Sequence, residues 1–232
     1  MNESELFPLL EDALRARLAT RCRRAYHHDM KNGLQGVYGG ADALIRAARA
    51  DKPMGVPLEQ LVQFVRHAIS NHEQGLERVL SNIAPDLESS AQIDVAELVG
   101  ELTRFLMTDA SRHSVRLGTK FTEPLILQVN AARLRLVFLG LITDAIDAMQ
   151  AGGDILLQGR STPAGIEVVM QDARPDSAAK SDVFALSEAA LSQRESIVVP
   201  TIRYVVICLG GTMECTRPTG AGRRTTIQLP RA

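Results

Sequence analysis

Between residues 5 and 83 the chain holds two long stretches nearly free of helix breakers, joined by a single turn, and this limits the folds open to it. In the first stretch Leu10, Leu14, Leu18, Cys22 and Ala25 step by three or four residues, which makes one apolar stripe on a helix. "RAARADKPMGVP" then collects Lys52, Pro53, Gly55 and Pro57, a turn composition. Residues 57 to 83 predict a second helix, with Pro57 suited to its first turn. Its apolar face holds Leu58, Leu61, Phe64, Val65, Ala68, Ile69, Leu76, Val79 and Leu80. Two such helices with a tight connection predict an antiparallel hairpin. A lone hairpin buries its two stripes poorly, whereas two copies forming a four-helix bundle bury both, so a homodimer is expected.

"APDLESSAQ" (84 to 92) has linker composition, and beyond it the periodicity changes. The expected domains are therefore 1–84 and 93–232. Residues 94 to 107 form an amphipathic helix, "SVRLGTKF" and "LILQVN" short strands, and residues 131 to 149 a strongly apolar helix ended by Gly152 and Gly153. "DILLQGR" and "GIEVVMQD" are expected to pair around "STPA". Helices are expected over 178–192 and 196–209, before a closing hairpin of "GTMECTR" and "RRTTIQLP". "TRPTGAGRR" lacks the strand-loop-helix context of a phosphate loop and reads as that hairpin's turn. Hairpin strands mixed with helices make the expected fold class α+β.

Bulk properties narrow the function. With 232 residues, 45% apolar and 23% charged, the composition is that of a globular protein. A net charge of −1 gives no reason to expect nucleic acid or an anionic membrane as partner. Aromatic residues at 4% argue against base-stacking platforms. Cys22, Cys208 and Cys215 lack metal spacing and fit reduced thiols in the cytosol. No signal peptide or membrane-spanning stretch is expected.

The stretch with chemistry is "AYHHDMKNGLQG", residues 25 to 36. On a helix, about 100° per residue separates His27 from His28. His28 falls at the edge of the Leu14–Leu18–Cys22–Ala25 stripe, His27 nearly opposite, and Asn32 shares the face of His28. A neutral imidazole nitrogen can attack phosphorus or accept a proton near pH 7. A solvated surface histidine is the plain alternative. A hydrolase triad has little support, because no serine or cysteine has a nucleophile setting such as G-x-S-x-G. His67, His72 and His113 have no motif around them and read as surface or satisfied core residues.

"HDMKN" (28 to 32) resembles the phosphoacceptor box of sensor histidine kinases, in which a histidine is followed by an acidic residue, any residue, Lys or Arg, then Asn or Thr. "LRLVFLGLITDAIDAMQAGGDILL" (134 to 157) resembles the kinase N box and the strand after it. "TIRYVVICLGGTMECTRPTGAGRRTTIQLP" (201 to 230) resembles the end of the kinase ATPase domain. Together these imply a dimeric helical hairpin followed by an ATPase-like α/β sandwich.

The nucleotide boxes depart from that family. Its N box carries two asparagines for Mg²⁺ and phosphates, and here Gly140 and Asp144 stand in their places. Its Asp-x-Gly-x-Gly box becomes "DARPD": Asp172 remains, but Arg174 and Asp176 replace the glycines, and side chains there obstruct a nucleotide or the positive φ that glycine allows. Its Gly-x-Gly box falls on Ser196 and Val198. This combination is similar to the ChpT type of histidine phosphotransferase, with a kinase-like hairpin and a degenerate ATPase domain.

The resemblance implies a phosphorelay protein that carries a phosphoryl group on His28 between response-regulator receiver domains, without ATP. An upstream hybrid histidine kinase feeds such a relay. No cofactor is expected, and Mg²⁺ comes with the receiver. Asp29 would orient or deprotonate His28, Lys31 would screen phosphoryl charge, and Asn32 would position the phosphoryl group or a water. Arg21, Arg24 and Gln35 would face the receiver; the two arginines belong to the basic run "RARLATRCRR" (15 to 24), whose plain reading is a solvated helix face. Gly140, Asp144 and Asp172 would be vestiges of the ATP site. Three other readings stay open: an atypical sensor-less kinase, a non-catalytic protein that binds and inhibits a kinase or response regulator, and a phosphatase dependent on Asn32.

Overall fold

The structure is a computed structural model, and it describes residues 3–49, 57–83, 90–149, 151–174, 198–218 and 222–231. In chain order the elements are α1 (Glu3–Arg49), α2 (Leu58–Ile83), β1 (Ser90–Asp94), α3 (Val95–Arg112), β2 (Val115–Phe121), β3 (Ile126–Asn130), α4 (Ala131–Ala148), β4 (Gly153–Thr162), β5 (Gly165–Asp172), α5 (Val198–Cys208), β6 (Thr212–Thr216) and β7 (Arg223–Pro230). The expected turn at Pro53 and Gly55, most of the linker, the 178–192 helix, Asp176 and Ser196 lie outside the described residues.

The chain divides into two compact units, one of Met1–Leu18 with Asp86–Ala232, the other Ala19–Pro85. Residues 3–18 of the expected 1–84 domain thus pack with the sheet-bearing unit. Side-chain contacts agree with that assignment: Phe7 meets Tyr204, Glu11 meets Arg133, and Leu14 lies beside Gly140.

In the sheet-bearing unit, five strands run in the order β2-β4-β5-β7-β6, and β1 pairs with β3 in a separate two-stranded ribbon. β2 and β4 are parallel, while β4-β5, β5-β7 and β6-β7 are antiparallel. Along β7, Arg223, Thr225, Ile227 and Leu229 are buried and alternate with exposed or half-buried neighbours, so one face of the sheet is covered. α4 contributes Leu134, Val137, Phe138, Leu141, Ile142, Ala145 and Ile146 to the core, and α5 contributes Ile202, Val205 and Val206. A helix enclosed on most sides explains why residues 131 to 149 are apolar nearly all round.

Two caps fix the helix starts. Asp94 Oδ1 accepts from the Ala96 amide at 2.9 Å and from the Leu125 amide at 3.0 Å, which ties the start of α3 to the loop before β3. Asn130 Oδ1 accepts from the Arg133 amide at 2.8 Å at the start of α4. The strands expected at 154–160 and 165–172 and the closing hairpin form as paired antiparallel strands. Two boundaries differ. Residues 90–92, expected in the linker, belong to β1, whose pairing with β3 runs from Ser90↔Asn130 to Asp94↔Ile126. α3 continues to Arg112, five residues beyond the expected end, and His113 caps it by donating its amide to the Ala110 carbonyl.

In the other unit α1 and α2 approach each other at two glycines. A Cβ on Gly40 would lie 2.6 Å from Val65 Cγ2, and one on Gly33 would lie 3.0 Å from His72 Nδ1. The two contacts are seven residues apart on each helix and run in opposite directions, so the helices are antiparallel there. Tyr38, Ile45, Leu58, Phe64 and Ile69 remain exposed in the single chain.

Candidate functional site

The phosphoacceptor-like box lies on α1, with helical backbone throughout. The side chains of His28, Asp29 and Arg24 lie outside the described residues. Lys31, Asn32 and Gln35 are exposed and Arg21 is half-buried. His72 of α2 lies beside this stretch. Its ring occupies the space beside Gly33, one residue after Asn32. No local pattern around His72 announces this, since the pairing depends on the register between two helices. His67 is exposed, and His113 Nδ1 lies 2.9 Å from the Asp109 carbonyl one turn back, both as their lack of a motif suggested.

The second set of predicted positions converges in the sheet-bearing unit. Asp172 ends β5, Arg223 begins β7, and the two are register partners. Gly222 makes this approach possible. Its φ is +75°, and a Cβ there would fall 2.0 Å from the Asp172 carbonyl oxygen, so a side chain is excluded. Asp144 comes from the last turn of α4. Arg174, two residues past β5, folds back on this group.

The Arg174 guanidinium donates from Nε to Asp172 Oδ1 at 2.6 Å and from Nη2 to Asp172 Oδ2 at 2.9 Å, a two-pronged pair. Its Nη2 also reaches Asp144 Oδ2 at 3.1 Å, and Arg223 Nη2 donates to that oxygen at 2.9 Å. Arg223 Nε stands 3.4 Å from Asp172 Oδ2 without a hydrogen bond. The side chain of Asp172 is 0% exposed, that of Arg223 1% and that of Arg174 6%. Burial opposes charge on Arg174, but the charges of Asp144 and Asp172 and their hydrogen bonds outweigh it, so its pKa stands above the ordinary guanidinium value. Two guanidinium and two carboxylate groups form a closed, charge-balanced cluster, with both Asp172 oxygens taken.

Arg174 was expected to obstruct a nucleotide by bulk or by backbone restriction. Its guanidinium instead occupies the carboxylate itself. Arg223 carried no signal in the sequence, because its link to Asp172 runs through sheet register across about 50 residues.

Gly140 is enclosed as well. A Cβ there would lie 2.8 Å from Ile202 Cδ1 and 3.8 Å from Leu14 Cδ2, so α5 and the start of α1 fill the space beside it. Around this point Glu11, buried, pairs with Arg133 at 3.4 Å and also with Arg15. Arg17 reaches Asp147 at 3.4 Å. The Phe7 ring stacks on Tyr204, with centroids 4.5 Å apart and planes at 5°. Among the described residues no cluster of His, Cys, Asp and Glu has the makings of a metal site. No helix among them is long and apolar enough to cross a membrane.

This architecture is the histidine kinase ATPase/catalytic-domain fold: the catalytic domain of histidine kinase ThkA is matched with TM-score 0.54 and 14% identity, over 62% of this chain and 96% of that one. In sequence the chain is a homologue of a sensor histidine kinase, being 22% identical over 206 residues to ZraS of Escherichia coli O157:H7, which is 88% of this chain and 44% of that protein. The K12 strain's ZraS is matched equally, at 22% over 206 residues. The chain therefore spans less than half the length of these curated relatives. No protein-family model matches it.

Proposed function

We propose that the chain is a histidine phosphotransfer protein of a two-component phosphorelay, of the ChpT type, which carries a phosphoryl group on His28 between receiver domains and does not bind ATP. The observation that carries this reading is the pairing of both Asp172 oxygens with Arg174, on a kinase-like fold whose helix α1 bears "HDMKN". In the kinase family the aspartate of this box reads the adenine amine, and here that carboxylate is already engaged by a buried cation of the same chain. Displacing that cation costs desolvated charge on both sides. The phosphoryl group must then come from another protein.

In the reaction, a neutral His28 nitrogen attacks the phosphorus of an aspartyl phosphate on the receiver. The N–P bond forms, the P–O bond to the receiver carboxylate breaks, and the carboxylate departs as the anion. The reverse step on a second receiver regenerates the imidazole. Asp29 holds the ring or accepts its proton, Lys31 screens the phosphoryl charge, and Asn32 positions its oxygens. Mg²⁺ arrives in the receiver's acidic pocket. Arg21, Arg24 and Gln35 meet the receiver, for which positive charge near the box supplies electrostatic complementarity. A second copy covers Tyr38, Ile45, Leu58, Phe64 and Ile69, giving the dimeric four-helix bundle. The working location is the cytoplasm, where receivers and an upstream hybrid kinase are found.

The experiment is transfer from a labelled phospho-receiver to the purified chain. Wild type is expected to take up acid-labile label, His28→Ala none, and Asn32→Ala reduced label. Equal labelling of His28→Ala, or no transfer with receivers from the same source, would contradict the proposal.

A further inference from the structure

Arg174 and Arg223 account for one end of the vestigial site, but not for Gly140. That position is closed by hydrophobic atoms of Ile202 and Leu14, and Leu14 belongs to the start of α1, far from the sheet in sequence. Leu10, Leu14 and Leu18, stepping by four, are all buried, at 8%, 1% and 4% exposure. Polar contacts flank that stripe: Glu11 with Arg133 in the first turn of α4, and Arg17 with Asp147 in its last turn. Phe7 adds its ring to Tyr204 on α5. A buried stripe, two ion pairs to α4 and one stacked ring on α5 describe a docked segment.

We infer that residues 7–18 of α1 are an internal occupant of the α4–α5 face, a latch that fills the phosphate end of the vestigial nucleotide site and serves as the permanent packing partner of these helices. The inference rests on reading Gly140, Asp144 and Asp172 as the former nucleotide positions, and it adds a second, independent block to the arginine cluster. In a nucleotide-binding ancestor this face needs open space for phosphates and their cation. Here Ile202 and Leu14 line that space: a Cβ at 140 would push on the Ile202 Cδ1 methyl at 2.8 Å and touch Leu14 Cδ2 at 3.8 Å. The latch also gives the domain its order without a ligand. The face of α4 and α5 that a nucleotide would cover is covered by the chain's own helix, which continues into the segment bearing the phosphoacceptor-like box.

The test is hydrogen–deuterium exchange of the full chain, resolved by peptide, on wild type, Leu14→Ala and Phe7→Ala, each with and without Mg-ATP. Leu14→Ala removes buried volume, whereas Phe7→Ala removes only the stacked ring and keeps the test valid if the first variant is unstable. The latch predicts that either substitution raises exchange tenfold or more in residues 7–18 and 200–208, while β4, β5 and β7 stay protected. It also predicts that Mg-ATP changes nothing in the wild type. Unchanged protection of 200–208 in Phe7→Ala, or ATP-dependent protection of that segment in wild type, overturns it. Unchanged protection in Phe7→Ala overturns the latch and leaves the relay untouched, whereas ATP-dependent protection in wild type counts against both, so the two failures are told apart by the arm in which they occur.

Discussion

Asp172 is wholly enclosed, and its negative charge is balanced chiefly by Arg174, with Arg223 Nε at 3.4 Å as a poorer partner. Removing one member of a buried ion pair leaves an uncompensated charge and costs about 3–5 kcal/mol. Arg174→Ala is therefore expected to lower unfolding stability by that order, read by urea denaturation. Because the pair acts as a unit, Asp172→Asn combined with Arg174→Ala should cost less than the two single losses added together. Additive losses would mean that the pair is not coupled. The cysteines give a second test at this scale. Burial pushes the Cys215 thiol up, with a bond to Thr225 and the charges of Arg223 and Arg174 opposing it, while Cys208 is exposed and Cys22 is buried. A thiol reagent at pH 8 should modify Cys208 well before Cys215, as mass spectrometry would show. Asp144 and Asp172 were legible as sequence positions because motif spacing survives along a helix and at the end of a strand. Their partners were not, because a guanidinium two residues on and another across the sheet are joined by folding alone.

At the scale of elements, the glycines of α1 separate into two kinds. Gly33 and Gly40 face α2, against His72 and Val65, whereas Gly36 and Gly39 have open space around them among the described residues. Glycine in a helix interior costs about 1 kcal/mol relative to alanine. Gly36→Ala and Gly39→Ala are expected to raise the melting temperature through that term. In Gly40→Ala the new methyl meets a β-branched side chain at 2.6 Å, and overpacking of about 1–3 kcal/mol outweighs the gain. A melting temperature raised by Gly40→Ala would contradict this packing. Four glycines, at 33, 36, 39 and 40, follow the box in the sequence, but nothing local there says which of them touch another helix. The seven-residue interval between Gly33 and Gly40 is the signal that could have told them apart. β1 was hidden for a related reason. Ser90, Ala91 and Gln92 have little strand pattern of their own, and their backbone pairing with β3 makes the strand.

Over the whole molecule, the sequence pattern predicted two long helices and an α+β part, and both are present. It placed the first turns of α1 with the hairpin, whereas Leu10 and Leu14 pack with the sheet-bearing unit. A stripe declares that a face will be buried, not what will bury it. For the rest of α1 and for α2 the proposed covering is a second copy. Sedimentation should show a dimer, and Phe64→Glu should shift it toward monomer while the strand content is retained. The source of the phosphoryl group is what separates a relay from a kinase. The direct measurement is acid-labile label on the purified chain after incubation with labelled ATP and Mg²⁺, and in parallel with a labelled phospho-receiver, with His28→Ala as control. Label is expected from the receiver alone, and only on the wild type. Label from ATP on wild type but not on His28→Ala would contradict it and make the chain a kinase.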